Sequence, residues 1–125
     1  MDKSEIVSSI GKGMERMGAR VEKAATVQGH NGAKHTFDLL ATKGDDRLPV
    51  DVRIAGMESV ELEELLKTYA KSLDTRLNPA VVVAIPKASA DARRAAEAFG
   101  MVLIEASTEL EIVERVNQIM ARFLS

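Results

Sequence analysis

The chain has 125 residues, 46% of them hydrophobic and 29% charged, which predicts one soluble domain, 1–125, large enough to bury a core. It contains no cysteine, so disulfides, thiolate zinc sites and cysteine nucleophiles are excluded, and a reducing, cytoplasmic location is expected. The formal net charge of -2 gives no global attraction to nucleic acid, so binding to DNA would need a local basic patch.

The first part of the chain predicts a helix followed by a three-stranded meander. Asp2 and Glu5 have the spacing of a capping box, and the helical spacing of apolar residues that follows stops at Gly18. The N-terminal residues lack the apolar core of a signal peptide. Turn-forming residues then separate three segments that we expect to be strands, namely 19–27, 34–42 and 48–55.

The second part predicts helices that alternate with buried strands. An amphipathic helix over 59–73 is followed by 80–85, which is apolar on both faces like a central parallel strand and is too short to cross a membrane. A helix over 90–99, a strand over 101–104 and a last helix that begins at a Thr108–Glu111 capping box complete the order α-β-β-β-α-β-α-β-α. We therefore expect an α/β fold with a mixed central sheet flanked by helices.

The last helix carries an apolar stripe that includes Ile112, Ile119 and Phe123. This stripe either covers the core or contributes to a homodimer interface.

Two aspartates, Asp38 and Asp51, interrupt the apolar second and third strands. They are equidistant from the middle of the intervening turn, so in an antiparallel hairpin they face each other on one side of the sheet, with Arg53 on the same face. Buried carboxylates cost free energy unless a cation pairs with them. A bound metal is one solution. In the purely structural alternative, Asp51 pairs with Arg53, and Asp38 accepts a hydrogen bond from His35 or a turn amide.

The segments Gly32–Ala41 and Val50–Arg53 resemble the restriction endonuclease-like superfamily, also called PD-(D/E)xK nucleases, and most closely its Mrr-type and archaeal Holliday-junction resolvase branches. The resemblance covers most of the chain and implies an αβββαβαβ(α) core. It also implies a metal-dependent DNA endonuclease in which Asp38, Asp51 and, from the first helix, Glu15 hold Mg²⁺ or Mn²⁺. Carboxylate oxygens are the ligands that these ions prefer.

The sequence departs from this family at position 53, where arginine replaces the lysine of the (D/E)xK tripeptide. Arg53 can hold a phosphate in bidentate geometry, but it cannot lose a proton near neutral pH and so cannot act as a general base. Lys34 and Lys43 on the second strand are candidates to replace the missing amine. Two functions stay open. One is an endonuclease acting on duplex or branched DNA, with Asp38, Asp51 and Arg53 as catalytic residues. The other is a catalytically inactive nuclease-fold protein that binds DNA or another protein.

Basic residues are concentrated in the first helix and the meander: Lys12, Arg16, Arg20, Lys23, Lys34, Lys43, Arg47 and Arg53. If they gather on one side, they form a phosphate-facing surface; if they are scattered, they serve solubility. With one Tyr, three Phe and no Trp, contacts to the DNA backbone fit better than base stacking. A different small α/β fold with structural aspartates is the third alternative.

Overall fold

In the computed structural model, which describes residues 2–124, four helices flank a five-stranded mixed sheet. The helices are α1 Lys3–Arg16, α2 Leu62–Thr75, α3 Ala90–Ala98 and α4 Glu109–Phe123. The strands are β1 Arg20–Gln28, β2 Lys34–Lys43, β3 Asp46–Ile54, β4 Val81–Ile85 and β5 Val102–Glu105. The predicted order along the chain and the α/β class are both confirmed.

The sheet has the strand order β1-β2-β3-β4-β5 and changes character at β3. The first three strands form an antiparallel meander, and β3, β4 and β5 run parallel, connected through α2 and α3. One face of the sheet is covered by α1 and α4, and the other by α2 and α3. Every residue of β4 is buried, as expected for a strand that is apolar on both faces.

Short polar side chains fix the starts of three helices. Asp2, Ser89 and Thr108 each accept a hydrogen bond from a main-chain N–H two or three residues later, at the starts of α1, α3 and α4. The second helix begins at Leu62, three residues later than the sequence predicted, because Val60 is held in an isolated parallel β-bridge before the helix begins.

The buried face of α2 differs from the one that its apolar residues predict. Leu66 and Leu73 are 36% and 57% exposed, whereas Thr68 and Ser72 are buried. Each hydroxyl has a specific partner: Thr68 donates to the Asp51 carboxylate of β3, and Ser72 donates to the Leu77 main-chain carbonyl just after the helix. The rotation of this helix is therefore set by these polar contacts together with Leu65, which is fully buried.

The fourth helix packs on the core beside α1. Ile112 is fully buried, and Ile119 and Phe123 pack partly buried against the same cluster, so the stripe that we considered for a homodimer interface covers the core. Within residues 2–124, no helix has both the length and the apolar character required to span a membrane.

Candidate functional site

The antiparallel ladder between β2 and β3 ends at the pair Leu39–Val50, and the two aspartates lie immediately beyond it. The Asp38 N–H donates to Asp51 Oδ1 at 3.0 Å, and the Val52 N–H donates to Asp38 Oδ2 at 2.7 Å. The register predicted from the turn is therefore confirmed. Each carboxylate satisfies a main-chain donor at the point where the ladder stops, which is a structural role in its own right.

The neighbouring strand β1 is also irregular at this level. Ala24, which stands opposite Asp38 between the ladder pairs Lys23–Leu39 and Ala25–Phe37, has a φ of 47°. A non-glycine residue rarely adopts this left-handed conformation. The ladders on both sides of β2 are thus interrupted beside the carboxylate of Asp38.

The carboxylate of Asp51 is enclosed by protein donors and is 2% exposed. Its Oδ2 atom accepts from the Lys71 ammonium and from the Thr68 hydroxyl, both at 2.6 Å, while an Arg53 terminal nitrogen lies 3.5 Å away. The expectation that Asp51 needs a cation is met, but the nearest cation is Lys71 from α2. Arg53 is the more distant of the two.

Lys71 is the residue beside Asp51 that the sequence did not identify. Its side chain is 18% exposed, and its ammonium also donates to the Thr36 carbonyl at 2.7 Å and lies 4.7 Å from the centre of the Phe37 ring. The only signal in the sequence was its position three residues after Thr68, which places the two on one side of a helix. Without knowing which face of α2 meets the sheet, that spacing is not informative.

Arg53 connects β3 to α2. One terminal nitrogen donates to the Thr68 hydroxyl at 3.2 Å, and the other lies 3.5 Å from Glu64 Oε2. Its Nε atom is buried and has no hydrogen-bond partner among residues 2–124. Hydrogen bonding from Lys67 lowers the pKa of Glu64 against the opposing effect of burial, and the Arg53 charge acts in the same direction as Lys67. Arg53 thus has the geometry of a bridge between the two elements.

Asp38 is the more accessible carboxylate, with a side chain that is 25% exposed. Its Oδ2 atom lies 3.1 Å from the ammonium of Lys3, in the first turn of α1. Glu15, predicted as a third metal ligand, is exposed and lies twelve residues further along the same helix, about 18 Å away at 1.5 Å per residue. The first helix therefore brings a cation to Asp38, and Glu15 does not join the two aspartates.

The other predicted neighbours of the site have different partners. His35 does not donate to Asp38, because its Nε2 atom lies 2.6 Å from Asp74 Oδ2 at the end of α2. This contact is the main reason why the pKa of Asp74 is lowered. Lys43 donates to the Met17 carbonyl, and Lys34 is exposed at the start of β2, so neither supplies an amine to the aspartates.

Two surface cavities meet at Lys3. One, of about 510 Å³, is lined by Lys3, Asp38, Ser8 and Lys23 among others. The second, of about 550 Å³, also includes Lys3 and extends past Arg53 to the start of α2. The exposed side of the Asp38 carboxylate therefore faces a groove large enough for a polar ligand.

The donor set is chemically suited to one hard cation. Two carboxylates offer the oxygen ligands that Mg²⁺ and Mn²⁺ prefer, and two ammonium groups, of Lys3 and Lys71, already stand at Asp38 and Asp51 where positive charge is required. However, residues 2–124 contain no cluster of three or more His, Cys, Asp or Glu side chains that could hold a metal. Asp38 and Asp51 are the residues that could hold a divalent cation, which would have to displace Lys3 or Lys71.

The fold has a solved structural relative. The crystal structure of AF1548, a protein of unknown function, superimposes with a TM-score of 0.67 at 21% sequence identity, covering 78% of this chain and 56% of that chain. The chain thus spans just over half the length of that protein, and a likeness at this identity supports the fold alone. No protein-family model and no curated protein matches the chain.

Proposed function

We propose that the chain is a metal-dependent DNA endonuclease whose site consists of Asp38, Asp51 and Lys71. The observation that carries this proposal is the 2.6 Å contact between Lys71 Nζ and Asp51 Oδ2. Arginine at position 53 was the strongest sequence argument against activity. An amine delivered from α2 to the second aspartate removes that objection, because a lysine, unlike arginine, can act in proton transfer.

Each side chain has a distinct role in this proposal. Asp38 and Asp51 would hold Mg²⁺ or Mn²⁺, which would lower the pKa of a bound water and offset negative charge on phosphate. Lys71 positions the attacking water and neutralises charge that develops on the phosphodiester. Arg53 holds α2 against β3 through Thr68 and thereby keeps Lys71 beside the carboxylates.

The proposed substrate is DNA, duplex or branched, bound mainly through its phosphates. Lys3 and Lys23 line the groove beside Asp38, which is where a phosphate approaching this carboxylate would lie. Because the whole chain carries a net charge of -2 and this groove also holds Asp2 and Asp38, recognition would depend on these two lysines and should weaken with salt. We also propose that the protein acts in the cytoplasm and that it forms a homodimer.

The test is cleavage of linear, branched and single-stranded DNA with Mg²⁺ or Mn²⁺, and with EDTA as the metal-free control. Asp51→Asn and Lys71→Met should each reduce the rate by about 100-fold or more, as expected for loss of an acid–base or electrostatic group. Lys67→Met is the matched control, since Lys67 is on the same helix but is 63% exposed and pairs with Glu64. Metal-independent cleavage, or cleavage that survives both site variants, would refute the proposal.

A second candidate function is favoured by the hydrogen bonding of the Asp51 carboxylate. Both oxygens of this carboxylate accept hydrogen bonds from protein groups, so the fold satisfies it without a metal. In this alternative the chain is a non-catalytic module that binds DNA or another protein. It predicts DNA binding that is equal with Mg²⁺ and EDTA, no cleavage of any substrate, and no rescue by Arg53→Lys.

A further inference from the structure

Lys3 differs from the other cations of the site in how loosely it is held. Its side chain is 47% exposed and meets the site through Asp38 Oδ2. Lys71, by contrast, is 18% exposed and contacts Asp51, the Thr36 carbonyl and the Phe37 ring. Of the two ammonium groups beside the aspartates, Lys3 is therefore the one that can leave at small cost, because exposed ion pairs contribute little to stability.

The position of Lys3 makes it a competitor for a bound cation. Its ammonium stands on the more exposed aspartate, Asp38, and Lys3 lines two cavities, one of which is also lined by Asp38. An ammonium and a divalent cation cannot share one carboxylate oxygen without strong repulsion, since two positive charges at such distances interact unfavourably even near a protein surface. A divalent cation that binds Asp38 Oδ2 would therefore displace Lys3, whose side chain already lines both cavities.

We propose that Lys3 is an intramolecular competitor that sets the divalent-cation affinity of the Asp38–Asp51 site. This inference rests on the proposed function and concerns the regulation of its site. With Lys3 on Asp38, the accessible carboxylate of the site is already paired with a cation. Once Lys3 has been displaced by the cation, its ammonium is free in the groove to meet a phosphate. Cation loading and phosphate binding would then be coupled through one side chain.

The experiment measures Mn²⁺ binding directly, by the loss of the free-ion electron paramagnetic resonance signal, without DNA. Lys3→Gln should bind Mn²⁺ about three- to tenfold more tightly than the wild type, the range expected for loss of one exposed ion pair and its repulsion. Lys3→Glu, which adds a carboxylate, should bind more tightly still. Lys12→Gln is the matched control, because Lys12 is an exposed lysine nine residues further along α1.

The outcomes separate this inference from the proposed function. If Asp38→Asn abolishes Mn²⁺ binding but Lys3→Gln and the wild type bind equally, the competitor role is wrong and the metal site stands. An equal gain in Lys3→Gln and Lys12→Gln would also overturn it, since the effect would then be one of overall charge. If no variant binds Mn²⁺, including Lys3→Glu, both the inference and the metal-dependent function fail. Circular dichroism confirms that each variant is folded.

Discussion

Replacing Lys71 with methionine tests the central contact of the site through stability alone. Methionine replaces the aliphatic part of the lysine side chain with an apolar one, but it removes the ammonium that lies beside Asp51 and over the Phe37 ring. Removing one partner of a buried ion pair typically costs about 3–5 kcal/mol. Arg53 at 3.5 Å and the Thr68 hydroxyl remain, so we expect the lower end, about 3 kcal/mol, including the lost bond to the Thr36 carbonyl.

The measurement is urea unfolding at neutral pH, followed by circular dichroism, for Lys71→Met, Asp51→Asn and the double variant. Since Asp51→Asn removes the buried charge that Lys71 compensates, the double variant should lose less stability than the two single losses added together, with a coupling of about 2 kcal/mol. Lys67→Met should change stability by no more than about 0.5 kcal/mol, because its pair with Glu64 is exposed. A loss below about 1 kcal/mol for Lys71→Met, or strict additivity, would refute the view that Asp51 depends on Lys71.

Three further variants test the surroundings of the site. His35 lowers the pKa of Asp74 from its ordinary 3.8, so the stability contributed by this pair is complete above that pH. It is lost as the pH falls through the lower pKa that Asp74 has in the folded state. Asp74→Asn should therefore flatten the fall of Tm at acidic pH, and an unchanged profile would contradict this. Gly29→Ala would place its Cβ 1.8 Å from Asp74 Oδ2 and should cost about 1–3 kcal/mol in urea unfolding, whereas a neutral result would mean that the turn moves freely. Arg76→Gly should raise stability by about 1 kcal/mol, since the φ of 58° at the end of α2 favours glycine, and a lower Tm would show that the Arg76 side chain matters more.

The pairing of β2 with β3 could be predicted because it depends on local information. The turn between the strands fixes the register, and a register shift of one residue would turn every apolar side chain to the wrong face. Asp38 and Asp51 are therefore brought together by thirteen residues of continuous chain, and their contact is confirmed. The starts of α1 and α4 were predictable for the same reason, because Asp2 and Thr108 cap their helices within a few residues.

Glu15 was predicted as a ligand from family resemblance, and the structure places it elsewhere for a reason of helix geometry. The end of α1 that approaches Asp38 is its first turn, where Lys3 lies. A residue twelve positions later is more than three turns away and cannot reach the same carboxylate. The direction in which a helix crosses a sheet depends on packing with other elements, here α4, and is not encoded in the spacing of its own residues.

The cation beside Asp51 could not be chosen from the sequence because the choice depends on the rotation of α2. Seventeen lysines and arginines compete for two aspartates, and proximity along the chain favours Arg53. The apolar residues of α2 predict that Lys71 lies on its outer face. The helix instead turns Thr68 toward Asp51, while Asp74, one turn after Lys71, pairs with His35 of β2. These two contacts hold the helix at both ends of the segment that contains Lys71. Both contacts are polar and join elements that are distant in the sequence, so the spacing of apolar residues does not predict them. Lys71 can be identified as the amine beside Asp51 only when both contacts are known.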